Sequence, residues 1–162
     1  MPKAAPDTPL SWHAVCTYKH DLIRIDTLTE RALEDAMERG VRVLIVEDSA
    51  DDRELYEISL KMDGFQIRTA ANARDALDLV GRFSPHVIVC DIQLEGENGF
   101  WFVRQVRSQY DGIPAIALTG HGEDEYRDAA RAAGFTGYCV KPCPPNELSR
   151  IITQAAAARG VG

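Results

Sequence analysis

Val41-Arg42-Val43-Leu44-Ile45-Val46 runs directly into Glu47-Asp48-Ser49-Ala50-Asp51-Asp52. The first run is short, apolar and largely β-branched, as expected of a strand covered on both faces. The acidic residues that follow have the character of a helix start. Working outward, the same alternation recurs. Phe65-Gln66-Ile67-Arg68-Thr69, His86-Val87-Ile88-Val89-Cys90, Ile113-Pro114-Ala115-Ile116-Ala117-Leu118 and Gly137-Tyr138-Cys139-Val140 are four further strand candidates. Between and after them lie stretches of helical period. Their predicted buried faces are Leu55, Ile58 and Met62; Ala73, Ala76, Leu77 and Val80; Val103 and Val106; Tyr126, Ala129, Ala130 and Ala133; and Leu148, Ile151, Ile152 and Ala155. Asn72 with Asp75 predicts an amino-terminal cap, and Gly64 and Gly134 predict helix stops. Short strands alternating with amphipathic helices define an α/β fold, a five-stranded parallel doubly wound sheet with five helices over residues 41–162.

Residues 1–40 read as an extension. Its first ten residues carry three prolines and predict a disordered or extended lead. Leu28, Ala32, Leu33, Ala36 and Met37 share one helical face, which predicts a helix over 26–39 stopped by Gly40. Trp12, Val15, Tyr18, Leu22, Ile23 and Ile25 are apolar without a clear period.

Composition narrows the functions. Of 162 residues, 18 are Lys or Arg and 25 Asp or Glu, a net charge of -7 that disfavours affinity gained by neutralising nucleic-acid phosphates. No direct nucleic-acid partner is expected. Apolar runs such as Val87-Ile88-Val89-Cys90 fall far short of the roughly 20 residues that cross a bilayer, and the amino terminus lacks a signal-like apolar stretch. A cytoplasmic protein with no membrane partner is expected. Cys16, Cys90, Cys139 and Cys143 are irregularly spaced, which predicts reduced packing thiols rather than a disulfide framework. Cys139 and Cys143 lack the further ligands of a zinc site.

In an open parallel sheet, ligands bind at the carboxyl ends of the strands. Those ends here are Glu47-Asp48, Asp91, Thr119-Gly120 and Lys141-Pro142. Taken alone, Glu47 and Asp48 could merely favour a helix start. Asp91 after a nearly apolar strand changes the balance, because acidic strand ends side by side repel unless a cation sits between them. Mg2+ fits that donor set, with waters and phosphate oxygens completing its shell. Lys141 supplies a point charge for a phosphoryl group and Thr119 a hydroxyl. The glycine-rich turn that cradles nucleotide phosphates is missing after the first strand. A carboxylate beside Mg2+ and lysine is set up as a nucleophile toward phosphorus, giving an aspartyl phosphate.

As a set, Val46-Glu47-Asp48, Val89-Cys90-Asp91, Gly99, Ala117-Leu118-Thr119-Gly120 and Tyr138-Cys139-Val140-Lys141-Pro142 resemble the CheY-like receiver domain of two-component response regulators. The resemblance covers residues 41 to 158 and implies a flavodoxin-like strand order 2-1-3-4-5. It further implies that Asp91 is the phosphoacceptor, fed by a sensor histidine kinase or phosphotransfer protein. Asp48 and Asp91 would bind Mg2+ directly, Glu47 through water and Gln93 through its backbone carbonyl. Lys141 would pair with phosphoryl oxygens, Thr119 would move inward to bond them, and Tyr138 would follow from an outward to an inward rotamer. The Lys141-Pro142 peptide is expected to be cis. The domain is expected to be a signalling switch rather than an enzyme, catalysing only its own phosphorylation and dephosphorylation.

Departures from the family pattern are Glu95 in place of the usual proline and His86 in place of an acidic residue. Gln93 and His121, two residues beyond Asp91 and Thr119, are predicted to tune the phosphoryl lifetime. With no output module recognised after the fifth helix, action through a downstream protein is expected, on helix 4, strand 5 and helix 5, including Tyr126, Arg127, Arg131, Tyr138 and Asn146. A homodimer through the helix over 26–39 stays open. Alternatives are a phosphorylation-independent scaffold and a phosphate shuttle excised from a hybrid kinase. A magnesium-dependent phosphatase is disfavoured, because Gln93 stands where its second acid belongs.

Overall fold

The computed structural model describes residues 40–122 and 124–160. The predicted helix over 26–39, with the rest of the extension, lies outside the described residues. Five strands and five helices alternate: β1 Arg42–Val46, α1 Ala50–Met62, β2 Gln66–Ala70, α2 Ala73–Phe83, β3 Val87–Asp91, α3 Gly99–Gln109, β4 Ala115–Thr119, α4 Asp124–Ala133, β5 Gly137–Val140 and α5 Pro145–Ala158. All strand pairings are parallel, in the order β2-β1-β3-β4-β5.

The three central strands are apolar at nearly every position because both of their faces are covered. Successive side chains point to opposite sides. Leu44, Val46, Ile88, Cys90, Ala115 and Ala117 join one core with α2, α3 and α4 residues such as Ala76, Phe102 and Ala130. Val43, Ile45, Val87, Val89, Ile116 and Leu118 join the other with Tyr56 and Leu60 of α1 and Leu148 and Ile152 of α5.

Local signals act as the sequence predicts at several joints. The Asn72 side chain accepts the Asp75 N–H at 2.9 Å, and Gly64 and Gly134 adopt φ of +91° and +104° after α1 and α4. Helix α1 corrects the reading of its buried face. Leu55, Ile58 and Met62 are 51%, 53% and 83% exposed, whereas Tyr56 and Leu60 are buried. The physical reason lies at the helix start, where Ser49 caps the Asp52 N–H and Arg53 Nη1 donates to the Glu47 carbonyl at 2.7 Å. Turning Asp52 and Arg53 inward puts Tyr56 and Leu60, a turn and two turns on, against the sheet.

The cysteine expectation is also corrected. Cys139 and Cys143 are joined by a disulfide with Cα atoms 6.1 Å apart, inside the normal span. The chain turns back between them after β5, so a separation of four residues brings both sulfurs into the α1/α5 core. Cys90 is free and buried. No helix among the described residues is long and apolar enough to cross a membrane.

Candidate functional site

The register of the sheet assembles the site. Val46 pairs with Cys90, Asp91 with Leu118 and Thr119 with Val140, so the residues ending β1, β3, β4 and β5 meet at one edge. Backbone bonds extend the pairing past the strands, from Glu47 N–H to the Ala70 carbonyl at 3.1 Å and from Lys141 N–H to the Thr119 carbonyl at 2.7 Å. Glu47, Asp48 and Asp91 each offer an oxygen, all within 4.8 Å of one another. An all-oxygen carboxylate set of this size suits a hard divalent cation.

Lys141 Nζ sits between two of these acids, donating to Glu47 Oε2 and to Asp91 Oδ2 at 2.7 Å each. Burial pulls the lysine down, but its hydrogen bonds to Asp91 and Glu47 outweigh that and hold it above its ordinary value. Glu47 is wholly buried, and burial raises its carboxyl above the ordinary value against the opposing pull of Lys141. Its second oxygen accepts the Ser49 N–H at 3.1 Å. Asp91 is buried, and its Oδ1 accepts the Gln93 N–H at 2.7 Å. Asp48 Oδ2 accepts the Glu95 N–H at 3.0 Å, so the loop that carries the unusual glutamate is tied to the site. The Lys141-Pro142 peptide is cis, as the resemblance implied.

Gly99 shows why the start of α3 tolerates no side chain. A Cβ there would lie 2.4 Å from the Asp91 carbonyl oxygen, while the Gly99 N–H donates to the Ile92 carbonyl at 2.9 Å. This close approach pins the backbone that carries the acid.

Thr119 is fully buried, and its Oγ1 accepts the His121 N–H at 3.1 Å. The Gln93 and His121 side chains meet at 3.0 Å across the mouth of the site. The His121 ring stacks on Tyr126 of α4, with centroids 4.3 Å apart and planes within 6°. Tyr138 is buried, its hydroxyl donates to the His121 carbonyl, and the Arg127 guanidinium lies 5.7 Å from its ring centre. This is the inward position of the tyrosine. Glu47, Asp48, Asp91, Gln93, Thr119, His121, Tyr138 and Lys141 therefore gather along one edge, whereas His86 lies at the opposite end of β3.

Three contributors were missed. Asp52 Oδ2 lies 3.5 Å from Lys141 Nζ, Arg53 grips the carbonyls of Glu47 and Asp48, and the Tyr56 hydroxyl donates to the Cys143 carbonyl at 3.2 Å. The acidic run Asp51-Asp52 was the visible signal, but only the helix phase decides which of the two turns inward. His86 has a structural part that its remoteness concealed: its Nδ1 accepts the Arg42 N–H at 3.1 Å. Burial, with the charges of Arg42 and Arg159, holds that imidazole below its ordinary value.

This fold, with its acidic cluster at the strand ends, is placed by comparison with known proteins. The profile of the response regulator receiver domain matches residues 43–153. The chain belongs to that family, the signalling receivers of two-component systems. It is 37% identical over 118 residues to an uncharacterized 14.6 kDa protein in the sodA1 3' region of Leptolyngbya boryana, covering 72% of this chain and 90% of that one. It is 34% identical to the response regulator MprA of Mycolicibacterium vanbaalenii over 67% of this chain, and spans 47% of MprA's length. Among solved structures, the chemotaxis protein CheY4 of Vibrio cholerae is 33% identical with a TM-score of 0.69, over 72% of this chain and 98% of that one.

Proposed function

We propose that the protein is phosphorylated on Asp91 in a Mg2+-dependent reaction with a histidine kinase or phosphotransfer protein, and thereby switches a protein-binding surface. The observation that carries this reading is Lys141, whose ammonium bridges Asp91 and Glu47 at 2.7 Å each. An ammonium so placed can follow phosphoryl oxygens as they arrive on Asp91 and balance the charge they bring. One Asp91 oxygen attacks phosphorus while the bond from phosphorus to the donor's histidine nitrogen breaks, so the acid ends as an acyl phosphate. The Gln93 N–H on Oδ1 holds the carboxylate in the plane the attack needs.

Mg2+ fits the three carboxylates: Asp48, Asp91 and the Gln93 carbonyl would hold it directly, and Glu47 would act through water. When bound, the cation neutralises phosphoryl charge that the acids alone would repel. Thr119 then bonds a phosphoryl oxygen, and its movement reaches Tyr138 and α4 through His121, which is hydrogen-bonded to both Thr119 and Tyr138. The partner surface is α4, β5 and α5, where Tyr126 and Arg127 report on the His121 and Tyr138 positions. Gln93 and His121 screen the acyl phosphate from water and set its lifetime. We place this signalling in the cytoplasm and assign residues 41–162 to the receiver.

The test is chemical trapping. After incubation with acetyl phosphate and Mg2+, borohydride should convert the phosphorylated aspartate to homoserine in the peptide containing Asp91. Conversion at another acid, or none with Mg2+ present, contradicts the reading.

A further inference from the structure

The disulfide closes a small loop whose contents are Val140, Lys141, Pro142 and nothing else. It thus brackets the one ammonium that holds Asp91 and Glu47 together. Cys139 is fixed in β5 by pairing with Leu118, whereas Cys143 lies beyond the last strand between the exposed Pro142 and Pro144. Its carbonyl is held by the Tyr56 hydroxyl of α1, so the bond also ties β5 to the helix layer. The third described cysteine behaves differently. Cys90 is wholly buried, its thiol is pushed well above the ordinary value by burial, and its Sγ donates to the Asp91 carbonyl at 3.1 Å.

We propose that Cys139 and Cys143 are a reversible thiol–disulfide modification site that clamps Lys141 in place for phosphorylation. Oxidation by a peroxide forms the S–S bond, breaks the peroxide O–O bond and sends both thiol hydrogens into two molecules of water. A small dithiol reverses it, becoming a disulfide itself as the protein regains two thiols. The consequence for Lys141 follows from packing. Two sulfurs that are no longer bonded must stand about 3.5 Å or more apart, and both are buried among the side chains of α1 and α5. Cys139 is held by the β4–β5 ladder and the Lys141 backbone by its N–H on the Thr119 carbonyl, so Cys143 is the end that moves, and Pro142 joins that movement directly to Lys141. The oxidised form keeps the ammonium on Asp91 and Glu47, and the reduced form loosens it.

This inference rests on the receiver reading for its effect, but the bond itself is read separately. The full chain is treated with hydrogen peroxide or with dithiothreitol, and each form is digested with trypsin. Residues 132–150 are expected as one peptide holding both cysteines, because trypsin does not cut Lys141-Pro142. The oxidised form should lose about 2 Da in that peptide alone, with Cys90 still alkylated afterwards. Phosphoryl uptake from acetyl phosphate with Mg2+ should be at least about threefold faster in the oxidised form, since small displacements of positioning groups have large rate effects. In Cys143→Ser, and in Cys139→Ser/Cys143→Ser as a second variant, uptake should not respond to oxidant, with circular dichroism confirming the fold. Absence of the mass loss overturns the site. A mass loss with equal uptake in the two forms overturns the clamp. No uptake in either form overturns the receiver reading, and the clamp with it, while the mass loss still stands for the redox site.

Discussion

Replacing Lys141 by methionine keeps the aliphatic stem and removes the charge, which leaves Glu47, Asp48 and Asp91 facing one another without their ammonium. The cost can be bounded from Glu47, whose side chain is 1% exposed. A carboxylate so placed either stays charged and unsolvated or takes up a proton, and the cheaper course sets the ceiling. For a group with an ordinary value of 4.5, holding the proton costs about 3.4 kcal/mol at pH 7 and about 0.7 kcal/mol at pH 5, at about 1.36 kcal/mol per pH unit. The sign follows from the raised folded value: relative to the unfolded chain, the folded variant binds the extra proton, so its penalty grows as pH rises above 4.5. Lys141 in the parent is held above 10.5, so its own contribution is constant over this window and is lost only as pH rises through the folded value. Urea unfolding of both proteins at pH 7 and pH 5, in chelator, should show the variant's loss of stability greater at pH 7 than at pH 5, by up to about 2.7 kcal/mol. An equal loss at both pH values, or none at pH 7, would refute this electrostatic account of the site.

Gly99→Ala should cost about 1–3 kcal/mol and slow phosphoryl uptake, because the added Cβ displaces the Asp91 backbone; parental stability by denaturation would sink this. Leu60→Ala should lose about 2–5 kcal/mol in the same assay, whereas Leu55→Ser should stay within about 0.5 kcal/mol, the reverse of what the apolar period of α1 suggests. Gln93→Ala/His121→Ala should shorten the lifetime of the phosphorylated protein by more than about twofold, a barrier change above about 0.4 kcal/mol, followed by phosphorus NMR; an unchanged decay removes the pair from the mechanism.

The central strands were legible because residues covered on both faces admit little but β-branched and aliphatic side chains. The ends were less so. Strand β4 begins at Ala115 rather than Ile113, since Pro114 has no N–H to give the ladder and contributes only its carbonyl to Ile88. Strand β3 runs one residue further than its apolar stretch, because Asp91 itself pairs with Leu118. In α1 two sets of residues satisfy a helical period, and hydropathy favours the wrong one. Leu55, Ile58 and Met62 outscore Tyr56 and Leu60, yet the helix phase is set by Asp52 turning toward Lys141 and Arg53 toward the carbonyls of Glu47 and Asp48, just past β1. The site was legible as a set of strand ends, whose convergence follows from parallel register. Helix phase, the bond from Cys139 to Cys143 and the reach of Tyr126 to His121 depend on how the chain turns between elements, which spacing alone does not record.

Intact mass after incubation with Mg2+ and acetyl phosphate, beside a sample without Mg2+ and an Asp91→Asn control, tests the central claim most directly. A gain of about 80 Da that requires Mg2+, is absent from the control and decays with time is the predicted result. No gain in the parent protein, or the same gain in Asp91→Asn, would contradict it.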